Sequence, residues 1–565
     1  MHDTSIVPRL AGRWRPCHGL VLFLLLLLCL NVAVLSIFGG YDVKLGFVHL
    51  TAHGLFKPIL MMNGCFLVAL MICGAGYKRR DAAPNFADET LGSSGFYRAL
   101  LIILIALLIL IIYYPSVHIN FNNQDWTHRH ISAGIHSLKS AWHLFTERQA
   151  DGFYRPLTFL SLWLDYRLFG TIYAGYHAQS IALHILNSLL AAWLAAALGF
   201  GRKCSLWTGL LFASAAVNFE AVVWPAARFD LLATLFTLMA LIFSIRYLRD
   251  ARIWSWALPG SLLCYILAVL NKESSYCFPL LLLFIIGTHK LWSIPRPEKA
   301  KTALCLSLVA AVTIVLISIR IAVYGNLGGY PTVGVTESHH FKVKLKTLTS
   351  LLRAMPIPIF GVNSTSAAPS WMPIALTILA VLLFLTALSS RGCFKRKEFA
   401  LAACALLALI PVLNIVGWIG PPMQHSRYLY LPAIFVMMLI ASTLGKIRWA
   451  TFLLTAFLAV NTMGAISNTR VYLDMLARIE RLASAVQTDW RRQPTIRTIC
   501  LVNLPENPNG VFFFGSELVE RIGTKIPKAT ILRQEAYVSK ESDVPDRLIY
   551  RWNNADRTLC LVEKP

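Results

Sequence analysis

At 565 residues, 56% hydrophobic and only 14% charged, the chain is too apolar for a soluble protein, in which roughly a quarter of residues carry charge. Its formal charge of +24 does not point to nucleic acid, because the basic residues come in short clusters between apolar runs, with no stripe or tail. The twelve cysteines are scattered and include no CxxC pair, which argues against zinc and thioredoxin chemistry.

Many apolar runs are about twenty residues long, enough to cross a ~30 Å hydrocarbon core as helix, and they lack the alternation of a membrane barrel. The fold expected is therefore an all-α polytopic membrane protein. Spans fall near 18–39, 56–76, 97–115, 178–199, 205–225, 229–247, 254–270, 275–289, 303–324, 371–390, 398–418, 429–445 and 448–467. The first run has no small-x-small cleavage site after it and reads as a retained anchor. Basic clusters occupy alternate gaps, beginning with Arg9, Arg13 and Arg15 and ending with Lys446 and Arg448. By the positive-inside rule these gaps are cytoplasmic, as is the N-terminus, and thirteen spans leave the C-terminus outside.

Three long segments then lie on the non-cytoplasmic side. In the first, 116–177, the stretch DWTHRHISAGIHSLKSAWHLF repeats apolar residues at helical spacing and reads as a helix lying in the membrane interface. RPLTFLSLWLDYRLFG reads as a second such helix, with Pro156 at its start. The second segment, about 325–370, carries the basic amphipathic piece HHFKVKLKTLTSLLRAM. The third, 469–565, mixes helix and strand patterns and predicts a small external α/β domain. Its cysteines, Cys500 in RTICLV and Cys560 in RTLCLV, would meet in a disulfide if those strands are neighbours; the alternative is two buried thiols. The expected organisation is an extra two-span region at 1–96, a transmembrane catalytic module at 97–468 and the tail domain at 469–565.

Ionisable groups at span ends cost free energy, so each is a candidate for function. On the outer side these are Arg155, His177, Glu220, Arg228, Asp230, Lys272 and Arg427, with Asp125 in the first external loop. The bland alternatives are ion pairs such as Glu220 with Arg228 or Lys272 with Glu273, arginines bound to lipid phosphate, and Asp125 as the cap of a helix starting at Trp126. The recurrence of cations opposite the positive-inside clusters favours chemistry. An external carboxylate can accept a proton from a hydroxyl, and cations beside it can hold a departing phosphate.

Six motifs, NNQDW, YRPLT, YHAQSIALHILNSLL, NFEAVVWPAARFDLLATLF, NKESS and SRYLYLPA, resemble in order and spacing the GT-C class of integral-membrane glycosyltransferases over roughly 97–445. The resemblance is to the protein O-mannosyltransferase-like branch, including the transmembrane O-mannosyltransferases with tetratricopeptide repeats, although no such repeat is present here. It implies a glycosyltransferase that takes its sugar from a polyprenyl-phosphate donor and passes it to a hydroxyl of a lipid, glycan or protein, with inversion, on the outer face. It places the catalytic acid at Asp125. Arg155, Arg228, Lys272 and Arg427 are then the candidates for the donor phosphate, and His177, Glu220 and Asp230 for positioning the sugar or acceptor. Many relatives carry two adjacent acids where this chain has Gln124 before Asp125, so neither a divalent metal nor a two-carboxylate mechanism is carried over, and no cofactor is assigned. A bacterial inner membrane, with a periplasmic tail domain, is the expected location. The rival readings are an O-antigen polymerase or ligase, whose large loop comes late in the chain, and a transporter or flippase, which would show duplicated halves.

Overall fold

The computed structural model describes residues 40–45, 48–53, 95–325 and 396–563, the last two stretches with short breaks. The spans expected at 18–39, 56–76 and 371–390, and the basic piece near 340–356, lie outside the described residues. A short antiparallel hairpin, β1 (Gly40–Leu45) and β2 (Val48–His53), occupies the gap between the first two expected spans.

The rest is a helical bundle followed by a small sheet. In chain order the helices are α1 (Gly95–Tyr113), α2 (Asn123–Ala133), α3 (Leu138–Thr146), α4 (Pro156–Phe169), α5 (Tyr173–Ala197), α6 (Arg202–Ser214), α7 (Phe219–Val223), α8 (Arg228–Arg249), α9 (Ala257–Asn271), α10 (Phe278–Gly287), α11 (Lys299–Tyr324), α12 (Arg396–Leu409), α13 (Tyr430–Leu444), α14 (Ala450–Arg491) and α15 (Phe514–Lys525). Among the described residues six helices are long and apolar enough to cross a membrane, or seven if the bent pair α6 and α7 counts as one span. The protein is a multi-pass membrane protein.

Three elements differ from the expectation in instructive ways. The span at 205–225 is broken: α6 stops at Ser214, a 3-10 turn follows at Ala216–Asn218, and the two parts meet at 47°. Backbone groups released by the break find side-chain partners. Asn218 Nδ2 donates to the Phe212 carbonyl at 2.8 Å, Asn468 Nδ2 to that of Ala216 at 3.0 Å, and Asn461 Oδ1 accepts from Ala216 N at 3.4 Å. Without water at hand such groups must be satisfied by protein, and these asparagines do it.

The segment around Lys272 is the second difference. α9 has 15 residues and α10 only 10, joined by a 3-10 turn at Glu273–Cys277. At ~1.5 Å per residue neither reaches ~30 Å on its own. The third is the interfacial helix, which is two helices. Gly134 closes α2, and Ser137 opens α3 through a reciprocal capping box with Ser140. Leu138 and Trp142 on α3 remain 92% and 65% exposed, as the lipid-facing side of an interfacial helix requires. α4 starts at Pro156 as expected and buries Phe159, Leu162 and Asp165.

The last helix does not stop at 467. α14 runs unbroken for 42 residues from the bundle into the tail, ~60 Å at helical rise, so about half of it extends beyond one bilayer crossing. The tail itself is a four-stranded sheet in the order β4 (Thr530–Gln534), β3 (Thr498–Val502), β5 (Arg547–Asn553), β6 (Thr558–Glu563). β3 runs parallel to β4 and β5, with α15 as the β3-to-β4 crossover, and β6 returns antiparallel to β5. Ile499, Leu501, Leu518, Ile522 and Leu548 join the same continuous core as the bundle. The condition for a disulfide is not met, because β5 lies between β3 and β6; the two-thiol alternative holds for Cys500, which is buried, while Cys560 is an exposed free thiol.

Candidate active site

The candidates lie where α2, α5, α8 and α13 begin, on the short α7, where α9 ends, and on the segment that enters α4. Helices of alternating direction bring these termini to one end of the bundle, so residues hundreds of positions apart become neighbours. Lys272 ends α9 in an extended conformation (φ −158°, ψ 138°), which frees its side chain to enter the gap between helices. Its Nζ donates to Asp230 Oδ1. Arg155, the residue before α4, grips Glu273 through two N–H donors, Nε at 3.3 Å and Nη2 at 2.8 Å. Arg427 Nη1 donates to Glu220 at 2.7 Å.

The same Glu220 carboxylate also accepts the backbone N–H of His425 at 3.2 Å and of Arg427 at 3.1 Å. It thereby holds a tight turn in which Met423 (φ +64°) and His425 (φ +62°) both adopt the left-handed conformation. Two non-glycine residues so close together in that region store strain that neighbouring structure must offset, a pattern concentrated at functional sites.

Aromatic rings knit the cations together. Arg155 lies 4.0 Å and Lys272 4.9 Å from the Phe229 ring centroid. Lys272 and Arg427 lie 5.1 and 4.9 Å from that of Tyr428, and Arg427 is 4.7 Å from that of Trp224. Such contacts favour a cation where water has been displaced. The separate candidates are thus one cluster of three cations and three carboxylates, Glu220, Asp230 and Glu273, held around Phe229 and Tyr428.

Asp125 joins this cluster through the segment between α7 and α8. It lies inside the first turn of α2, and its Oδ1 accepts the backbone N–H of Ala226 at 2.6 Å. The helix begins at Asn123, ahead of the Trp126 start that the capping alternative supposed, and the carboxylate reaches across to another element.

Two candidates stand elsewhere. Arg228 is fully buried; Nη1 donates to Asp165, also fully buried, and Nη2 to the Tyr176 carbonyl at 2.8 Å. The guanidinium ties α8 to α4 and α5, away from the cluster around Phe229 and Tyr428. His177 uses Nε2 on the Ile119 carbonyl at 3.1 Å, tying α5 to the loop ahead of Asp125. Its neighbours His184 and Asn187 both meet the Tyr430 hydroxyl, at 2.6 and 3.3 Å, in a buried knot within the bundle.

Several contributors escaped the sequence reading. Asp165 was visible as a lone carboxylate in an apolar helix, the signature of a buried partner. His128 in α2 and His425 carry no such signal. Burial, with the charge of Arg155 beside it, pushes the His128 imidazole down to about 3, and burial with Arg427 does the same to His425. Both are neutral at physiological pH. Among the described residues no group of three or more His, Cys, Asp or Glu is arranged to hold a metal ion.

Comparison with known proteins places this geometry in context. No protein-family model matches the chain. It is 35% identical over 138 residues to the protein O-mannosyl-transferase TMTC2 of mouse and, equally, of human, which is 23% of this chain and 16% of theirs. To the Caenorhabditis elegans protein O-mannosyl-transferase F38B6.6 it is 34% identical over 96 residues, 16% of this chain and 14% of that one. The chain therefore spans about a sixth of the length of the curated relatives it matches. Crystal structures of ArnT from Cupriavidus metallidurans, bound to undecaprenyl phosphate and in the apo state, align with it at 12% identity and TM-scores of 0.41 and 0.42, covering 82% and 81% of this chain and 94% of those. Over that shared segment, less than a quarter of its length, the chain is similar in sequence to protein O-mannosyl-transferases.

Proposed function

We propose that the protein is a membrane glycosyltransferase that moves a sugar from a polyprenyl-phosphate-linked donor to an acceptor hydroxyl on the outer face of the membrane. One observation carries the reading. The seven residues Trp224–Asp230 touch Asp125 through Ala226, Arg427 through Trp224, Arg155 and Lys272 through Phe229, and Lys272 again through Asp230. A carboxylate and three cations gathered on one short segment have the composition that transfer from a lipid phosphate demands. The likeness to O-mannosyl-transferases supports the same class.

In this reading Asp125 takes the proton of the acceptor hydroxyl as its oxygen bonds to the anomeric carbon. The bond from that carbon to the phosphate oxygen breaks, its electrons leave with the polyprenyl phosphate, and the anomeric centre inverts. Arg155, Lys272 and Arg427 hold the phosphate. Glu220, Asp230 and Glu273 keep those cations in place, and the Arg427 turn depends on Glu220. His177 steadies the loop that leads to Asp125. The catalytic module is 97–468, the site and the 469–565 domain face the periplasm, and the N-terminus is cytoplasmic in a bacterial inner membrane.

The test is Asp125→Asn in reconstituted protein supplied with a polyprenyl-phosphate sugar. Asn keeps the shape and an oxygen for the Ala226 N–H but cannot take the proton, so transfer falls ~100- to 10,000-fold while expression and thermal stability stay normal. Transfer above a third of the wild-type rate would end the assignment of Asp125 as base.

A further inference from the structure

The tail domain reaches the candidate base. α15 lays Leu518, Ile522 and the following Ile526 into the sheet-side core, and its Glu517 and Arg521, one turn apart, face elsewhere. Arg521 is 93% buried, with 7% of its surface exposed. Nη2 donates to Glu517 at 2.9 Å, and Nε lies 3.6 Å from Glu480 on α14, which in turn binds Lys525 at 2.6 Å. Two carboxylates of the tail thus fix the guanidinium. Its remaining reach crosses to the bundle: Nη2 also donates to the carbonyl of Phe121, just before α2. The guanidinium carbon sits 5.8 Å from the ring centroid of Trp126, the residue after Asp125.

Phe121 is itself the centre of an aromatic cluster. Its ring meets those of Trp126 and Tyr176 edge to face, with centroids 5.3 and 4.8 Å apart. Arg521 therefore holds both the entrance of α2 and the first-turn side chain next to the carboxylate. Burying a guanidinium is costly unless it is paired and fully bonded, and here the tail supplies the anions while the loop supplies a carbonyl.

We propose that Arg521 is a positioning residue for the reaction: the tail domain, through this side chain, sets the placement of α2 and so of Asp125. The inference rests on the reading of Asp125 as base. A carboxylate that must meet an acceptor proton within hydrogen-bond reach loses much of its effect when displaced by about 1 Å, on the order of 100-fold.

The experiment uses the full-length protein with Arg521→Ala and Arg521→Lys, read in two ways. Backbone hydrogen exchange over residues 121–130 is expected to quicken at least about tenfold in Arg521→Ala while exchange in α5 holds; the thermal midpoint falls, because buried Glu517 loses its Arg521 partner. Turnover is expected to fall ~10- to 100-fold in kcat with donor KM within about twofold, and Arg521→Lys, which keeps the charge and one donor to Phe121, recovers most of it. Unchanged exchange over 121–130 in Arg521→Ala overturns the clamp, as does quickened exchange with wild-type kcat. If Arg521→Ala fails to fold, Arg521→Gln carries the same two readings. Exchange is measured without substrate, so an active Asp125→Asn would sink the base assignment while leaving the clamp to be judged by exchange.

Discussion

Asp165 with Arg228, and Lys272 with Asp230, show how differently two buried ion pairs serve this protein. The first is closed on all sides, and removing one partner would leave an uncompensated charge in an apolar surround, costing on the order of 3–5 kcal/mol. The second sits among Phe229, Tyr428 and the other cations, and in the proposed function these cations receive the donor phosphate. Buried neutral histidines give the site a pH signature outside the spans. His128 and His425 are both lowered from 6.5 to about 3, by burial first and by a neighbouring arginine second. Above pH 6.5 neither the folded nor the unfolded chain protonates them. Between 6.5 and about 3 the unfolded chain binds protons that the folded chain refuses, so stability falls as pH falls. The thermal midpoint in detergent is therefore expected to drop from pH 7 to pH 4.5, and the drop to shrink in the His128→Gln, His425→Gln double variant. An equal drop in that variant would assign the acid sensitivity to other groups.

At the scale of elements, breaks in helices do more for the site than helices do. The bend between α6 and α7 aims Glu220 across at the Arg427 turn, and the interruption at Lys272 releases both Lys272 and Glu273 toward the cluster. Each break is stabilised by side chains from distant elements; hydropathy drew the first as one continuous span, 205–225, and marked the second as a gap between two spans. The Ala216 carbonyl depends on Asn468, which projects from α14 within the buried core. Asn468→Leu matches the size but cannot donate, and it leaves the carbonyl without that bond at a cost of about 1–3 kcal/mol. The measurement is thermal unfolding of the purified protein, with the midpoint expected to fall by several degrees; no change would mean that another donor takes over.

Among the described residues the main core runs from the bundle through α14 into the tail sheet, so the tail is anchored by an unbroken helix and by the Arg521 contact together. This architecture makes orientation decisive. If the positive-inside clusters are cytoplasmic, a C-terminal alkaline phosphatase fusion is active and one at Lys397 is inactive. The reverse pattern would put Asp125 and its cations on the cytoplasmic side and sink the proposal of an external lipid-linked donor.

Composition and hydropathy alone determined that this is a polytopic helical protein, because bilayer thickness fixes the length of apolar run and that length is a local property. They also marked Arg155, Glu220, Asp230, Lys272 and Arg427, since an ionisable residue in an apolar run is conspicuous without any knowledge of its partner. The partners were beyond reach. Neighbouring charges suggested Glu220 with Arg228 and Lys272 with Glu273, whereas the fold pairs Glu220 with Arg427, Lys272 with Asp230, Arg155 with Glu273 and Arg228 with Asp165. The same limit hid the two-helix form of 123–146, the central place of β5 between the cysteine-bearing strands, and Arg521 beside Trp126. Pairing between groups separated by 42 to 400 residues is set by how helices pack and where they break, and no local pattern in the chain encodes that.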